Sequence, residues 1–438
     1  MHEINLNLQA QELNNKIKKL NPLVFDLLSQ KGRSAYFPKD GILAQTSQAK
    51  GTKINATIGI AFEEDGTPMR FSSIAGKINI APQDVFPYAP SFGKPDLRSK
   101  WLETIKLKNP SLQVPTSTPV VTAALTHGLY ITGYLFVDPG DRIILPDKFW
   151  GNYRLVFTLG FGAVLDTFPT FRGNGFDTVS LENKIKSNKS KKLILLFNFP
   201  NNPAGYTPTE KEARAICRIV KKEAYRGRKI LVICDDAYFG LVYKKGVFTQ
   251  SLLSLLAGLD KNIFAVKLDA ATKEEFVWGF RVGFITFAGK NISPETYLAL
   301  EDKTAGAIRG TISNAPHLCQ SLVLASLSSP KHNQEKRQKY RILKKRFLKV
   351  EHILKKNVQY RKFFHSLPFN SGYFMCLELE KGIEAEKVRL YLLKKFDTGT
   401  IALPGNLLRI AYSSVPLKNL EKLFANIYQA CLVQTRTT

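Results

Sequence analysis

Between residues 115 and 320, short β-rich runs alternate with helix-like segments, and no other feature of the chain limits its fold as strongly. The clearest runs are 142–145, 193–197, 230–234, 263–266 and 283–287. They are rich in Ile, Leu, Val and Phe, which suits strands of a mostly parallel sheet covered by helices on both faces. Strands separated by helical crossovers run parallel, with helices packed on either side. Thr209, followed by Glu210 and Glu212, marks the start of one crossover helix. After residue 320 the pattern changes to long helices and short strands near 373–379 and 408–412. The expectation is an α/β chain in three parts. Residues 1–75 form an N-terminal arm and part of a small domain, 76–320 a large α/β domain, and 321–438 a small α+β domain.

Composition excludes several classes. The 438 residues are 44% hydrophobic and 23% charged, which is ordinary for a globular chain. No apolar run reaches the roughly 18–20 residues a membrane span needs, so no membrane partner is expected. The polar opening does not read as a signal peptide. Five scattered cysteines, none at CxxC spacing, argue against a disulfide framework or a metal site and suit a cytoplasmic compartment.

The charge is +27, and residues 331–362 alone hold 13 Lys/Arg against 2 acids. Leu343, Phe347, Val350 and Leu354 recur there at helical steps, so the basic residues are read as that helix's solvated face. Without an RNA-binding signature or a helix-turn-helix, the run argues against a nucleic-acid partner.

Ligands of such sheets bind beyond the carboxyl ends of the strands, where several polar motifs fall. The loop 198–205 follows one strand and holds Asn201 and Asn202 between prolines. Taken alone it could be a plain turn. Asp235 ends the next strand, with Tyr238 three residues on; an acid buried there needs a cationic partner. A metal-binding or helix-capping role is equally open for it. Lys273 and Arg281 lie eight residues apart, separated by an aromatic, glycine-containing stretch. A lysine in so apolar a setting is disfavoured as ammonium and suited to act as nucleophile or base.

In order and spacing these motifs resemble the fold-type I aminotransferases, class I/II, the family of aspartate and aromatic aminotransferases. The resemblance runs from about Gly76 to Arg409. Lys273, Arg281 and Gly283 meet the family's Lys-x7-Arg-x-Gly, and Asp235 and Tyr238 its Asp-x-x-Tyr. Asn202-Pro203-Ala204-Gly205 meets its Asn-Pro loop in a looser form, with Phe199 inserted.

The resemblance implies the pyridoxal 5′-phosphate (PLP)-dependent transferase fold, with a seven-stranded-type sheet and a small domain built from both chain ends. It implies a Schiff base between PLP and Lys273, which also shuttles the substrate proton. Asp235 would pair with the ring nitrogen, Tyr238 and Asn202 would bond the cofactor's 3′ oxygen, and Trp150 would stack on the ring. Asn152 fits the family's tryptophan segment, and Tyr153 stands where aspartate aminotransferases carry histidine. Phosphate would be held by Arg281 and a helix N-terminus at Leu125 and Thr126. Ala124 and Ala270 replace the usual glycine and hydroxyl there, with Thr272 beside the lysine. Arg409, with Gly76, Asn202 and Trp150, would bind the substrate α-carboxylate. Tyr88 would reach a partner subunit's phosphate in a homodimer. Arg309 would select a dicarboxylic amino acid.

The implied activity is amino transfer between an amino acid and a 2-oxo acid. A lyase or β-decarboxylase on the same fold remains open, as does a non-catalytic binding protein using its basic surface.

Overall fold

The structure is a computed structural model and describes residues 6–20, 28, 33, 42–76 and 80–435. The expected N-terminal arm falls partly at 1–5, 21–27, 29–32 and 34–41, outside the described residues. A short strand, β1 (Ile54–Asn55), precedes the large sheet. That sheet comprises β2 (Val120–Ala123), β3 (Arg142–Pro146), β4 (Val164–Phe168), β5 (Lys192–Asn198), β6 (Lys229–Asp235), β7 (Ile263–Ala270) and β8 (Val282–Gly289). Its order is β2-β8-β7-β6-β5-β3-β4, seven strands, and only β8 runs against the rest.

The unbroken apolar runs serve two cores. In β5, Leu193, Leu195 and Phe197 face one hydrophobic cluster while Ile194 and Leu196 face the other. β6 divides in the same way, with Ile230 and Val232 opposite Leu231 and Ile233. A strand two-sidedly buried gains from an apolar residue at every position, which is why alternation is missing.

The helices that matter to the site are α1 (Ser72–Ala75), α2 (Pro95–Lys108), α3 (Ala124–Phe136), α4 (Glu210–Tyr225), α5 (Ala271–Glu274), α6 (Pro294–Thr311), α7 (His317–Leu327) and α8 (His332–Lys356). The α4 start is a capping box: Thr209 and Glu212 satisfy each other's backbone N–H groups.

Four antiparallel strands follow in the order β9-β10-β13-β12, namely β9 (Phe364–Ser366), β10 (Met375–Leu379), β12 (Ile401–Leu403) and β13 (Leu407–Ile410). Between them β11 (Thr398–Gly399) pairs in parallel with β1, joining residues 344 positions apart at Ile54 and Thr398. In α8, Leu343, Phe347 and Val350 are buried as the periodicity requires. One expectation there is corrected. Arg346 is fully buried, its guanidinium held by Glu64 and the Ser413 carbonyl, so this basic stretch is not wholly a solvated face. No helix among the described residues is long and apolar enough to cross a membrane.

Candidate active site

The parallel strands β5, β6 and β7 end side by side, with Asn198 opposite Asp235 and Asp235 opposite Leu268. Asn198 donates to the Asp235 carbonyl at 3.0 Å and accepts the Asn202 N–H at 2.8 Å. The strand end therefore fixes the following loop, and Asn201 ties it to the Lys148 carbonyl near Trp150. Asn198 has this holding role although its motif suggested only Asn201 and Asn202.

Asp235 is buried. Its Oδ2 accepts from Tyr153 at 2.5 Å and its Oδ1 from the Ala237 N–H at 3.1 Å. Burial pushes the carboxyl up to about 6, while Tyr153, Lys273 and the Ala237 N–H restrain the rise. Tyr153 stays a neutral donor, because burial and the Asp235 charge push its own ionisation far up. Trp150, half-buried, meets the Tyr153 ring edge-on at 5.7 Å.

Lys273 lies half-buried in α5, its Nζ 4.8 Å from the centre of the Tyr238 ring. Burial brings its ammonium down to about 8, with Asp235 opposing the fall and Arg281 adding to it. Arg281 thus sits near enough to act on the amine, although its exposed guanidinium donates to the Trp278 carbonyl at 3.2 Å. The Asn202 side chain lies close enough to the Tyr238 hydroxyl to counter the rise that burial causes in its ionisation.

Asn202 also links to Arg409, whose Nη1 reaches its Oδ1 at 3.2 Å. The Arg409 Nη2 donates to the Thr57 carbonyl at 2.8 Å, and the guanidinium lies 4.4 Å from the Phe374 ring centre. Its Nε is buried without a hydrogen-bond partner among the described residues, a donor available to a ligand. Lys273, Tyr238, Asn202 and Arg409 thus form one continuous chain of contacts.

Other expected residues stand elsewhere. Leu125 and Thr126 open α3, whose first residue, Ala124, has φ 66°. Gly283 packs against that start: a Cβ there would lie 2.5 Å from the Ala124 carbonyl carbon and 2.8 Å from the Leu125 nitrogen. This close approach sets the helix N-terminus beside β8, two residues after Arg281. His127 accepts the Ala123 N–H at 3.1 Å. Thr272 is buried, with Oγ1 unpartnered among the described residues, and Ala270 offers no hydroxyl.

Gly76 is a correction. It ends α1 in an open cleft with Arg70, Glu335 and Lys339, whereas the glycine near the site is Gly59, where a Cβ would lie 4.0 Å from the Tyr238 hydroxyl. Tyr88 and Arg309 are exposed and belong to one surface. Ser91 bonds the Ser313 carbonyl, His317 the Pro87 carbonyl, and Arg309 the Ser313 hydroxyl.

Fold and site define a doubly wound α/β protein that sets a lysine amine, a buried carboxylate and a buried arginine around the carboxyl edge of its sheet. The chain belongs to the aminotransferase class I and II family, whose model matches residues 66–427. A probable aspartate/prephenate aminotransferase of Aquifex aeolicus is 28% identical over 244 residues, 56% of this chain and 57% of that protein. An aspartate aminotransferase of Sulfurisphaera tokodaii is 26% identical over 213 residues, 48% of this chain and 50% of that protein. The chain thus spans about half the length of these relatives. An aminotransferase structure from Anaerococcus prevotii shares the fold at TM-score 0.82, with 22% identity, covering 92% of this chain and 99% of that one. Thermus thermophilus aspartate aminotransferase with maleate gives TM-score 0.70 at 17% identity, covering 92% and 99%.

Proposed function

We propose that the protein is a pyridoxal 5′-phosphate-dependent aminotransferase acting on an amino acid and a 2-oxo acid. The observation that carries this reading is the contact chain from Lys273 through Tyr238 and Asn202 to Arg409, with Asp235 buried beside it.

The residues fit the cofactor. An amine that loses its proton near pH 8 is a competent attachment point, and a buried carboxylate suits a protonated ring nitrogen. Tyr238 and Asn202 supply donors for a phenolic oxygen. Arg281 and the α3 N-terminus supply positive potential for a phosphate, while the unpartnered Thr272 hydroxyl is a further donor. When bound, pyridoxal phosphate supplies the electron sink that makes a substrate Cα proton removable.

The chain's own part is positioning and proton transfer. Arg409 holds the substrate α-carboxylate through its fork, Nε included, with Asn202 and the backbone near Gly59 around it. That would orient the Cα–H toward the Lys273 amine, which as a neutral base would take the proton and hold it for transfer. Asp235 keeps the ring nitrogen's proton in place, and Tyr153 keeps Asp235 oriented.

The names of the relatives favour a dicarboxylic donor such as aspartate. Tyr88 and Arg309, exposed on one surface, would be completed by the site of a second copy in a homodimer. The test is absorbance near the visible edge in the purified protein, lost on borohydride reduction and in Lys273→Ala. It is joined to a panel of amino donors with 2-oxoglutarate. Keto acid formed together with glutamate supports the reading; decarboxylation, or keto acid with ammonia and no glutamate, transfers the protein to lyase chemistry.

A further inference from the structure

The turn that carries Lys273 cannot hold itself. α5 is four residues long, has no side-chain cap, and is followed by Phe276 at φ 55°. So short a helix has no stability of its own in water and takes its shape from tertiary contacts.

Ala271 and Phe276 pack into the core, Tyr373 donates to the Lys273 carbonyl at 3.3 Å, and the remaining contacts are ionic. The two residues after the lysine, Glu274 and Glu275, are buried carboxylates, which is costly unless each is matched. Glu275 accepts from His332 Nε2 at 2.6 Å and Lys336 Nζ at 2.7 Å. Glu274 accepts from Lys336 at 3.1 Å and from Lys108, the last residue of α2. Burial opposes the ionisation of Glu275, yet Lys336, His332 and Lys108 together hold its carboxyl below the usual range. The half-buried Lys108 is pushed well down as a cation by desolvation and by the neighbouring Lys336, and is drawn back by Glu275 and Asp269.

His332 and Lys336 lie in the first turn and a half of α8, the helix that also grips the other end of the site. Its Glu335 takes the hydroxyls of Ser72 and Ser73, and its Arg346 holds the carbonyl of Ser413, four residues past Arg409. One rigid element therefore touches both the lysine turn and the segment after the carboxylate-binding strand.

We propose that Glu274 and Glu275 are positioning residues which, through Lys336, tie the Lys273 turn to α8, so that α8 sets where the amine stands. This rests on Lys273 being the attachment point. The amine's own charge balance comes from burial, Asp235 and Arg281, so a change made at Lys336 reaches it by displacement of the turn.

The experiment uses the full-length holoenzyme with Lys336→Met, Lys336→Arg, Glu275→Gln and, as control, Lys339→Met. Lys339 pairs with Glu63 one turn further along the same helix. For each, the pH midpoint of cofactor absorbance, kcat, KM and the melting temperature are measured. Lys336→Met and Glu275→Gln are expected to move the midpoint and lower kcat by about tenfold or more, with KM for the amino donor little changed. Lys336→Arg restores both quantities, and Lys339→Met lowers only the melting temperature. A fall in melting temperature with midpoint and kcat intact overturns the proposal. If Glu275→Gln does not fold, the two Lys336 variants decide alone. Absence of the absorbance from the wild-type protein would instead overturn the aminotransferase reading itself.

Discussion

The Tyr153 hydroxyl donates to Asp235 Oδ2 at 2.5 Å, and neither side chain meets solvent appreciably. Burial alone would keep Asp235 protonated further into the neutral range; this phenol is the largest influence opposing it. Tyr153→Phe should therefore move the acid limb of the pH–activity profile upward by about one unit. Activity at pH 6 should fall more than at pH 8. Tyr153→His, which keeps a donor, should recover much of the loss. The stability of the cofactor-free chain carries the same signature. The folded value, about 6, exceeds the ordinary 3.8, so this group's contribution is complete below pH 3.8 and is lost as pH rises through 6. Asp235→Asn should remove about 3 kcal/mol of that pH-dependent loss, read by denaturant unfolding at pH 4 and pH 7. An unchanged slope in Asp235→Asn would show that the carboxyl is not the titrating group.

Lys273 has the opposite sign. Its ammonium falls from 10.5 to about 8, so its contribution to stability is present above pH 10.5 and is lost as pH falls through 8. In the cofactor-free chain the amine should react with an acylating reagent with a midpoint near pH 8. Asp235→Asn, which removes the charge favouring the ammonium, should lower that midpoint. Peptide mapping of the modified lysine against pH measures both; a midpoint near 10.5 would contradict the burial of the amine.

Five strands of the large sheet, β3 and β5 to β8, were legible because each carries a mainly apolar run; β4 was not, because Asp166 and Thr167 interrupt it and most of it is only half-buried. Lys273, Asp235, Tyr238 and Asn202 stood out because they follow strands, and Arg409 through the family resemblance; the structure brings the five together. Gly59 was not legible. A glycine has no side chain to mark a role, and its placement depends on contacts such as that between Arg409 and Thr57, 352 residues apart. Glu274 and Glu275 carry no mark in the sequence, because their partner Lys336 lies more than 60 residues away on another helix. Arg346 was hidden by its company, one cation in a run of 13. Spacing marks residues that share an element; it does not mark a partner brought by another helix.

Gly283 tests whether the α3 N-terminus depends on close packing. An added methyl would press on the backbone at Ala124 and Leu125 at 2.5–2.9 Å, and neither can rotate away as a side chain would. Gly283→Ala should cost about 1–3 kcal/mol and displace the helix start. Cofactor affinity should fall with it, and inorganic phosphate should protect the variant against thermal unfolding less than it protects the wild type. Equal protection of both would mean that the α3 start is not where phosphate binds.

Arg309 decides how the substrate side chain is read. Within its own chain its guanidinium reaches only the Ser313 hydroxyl among the described partners, on the exposed surface that includes Tyr88. If that surface closes on a second copy, Arg309 serves the other copy's Lys273. Arg309→Ala should then raise KM for aspartate about 10²-fold, the loss of a charge-assisted pair, with little change for tyrosine or leucine. Mixed dimers separate the two geometries. A dimer of one Lys273→Ala chain and one Arg309→Ala chain contains a single intact lysine, and the only intact Arg309 lies on the opposite chain. Action across the interface gives that dimer about half the wild-type aspartate activity. Action within one chain leaves it with the high KM of Arg309→Ala, because the chain with the working lysine then lacks the arginine.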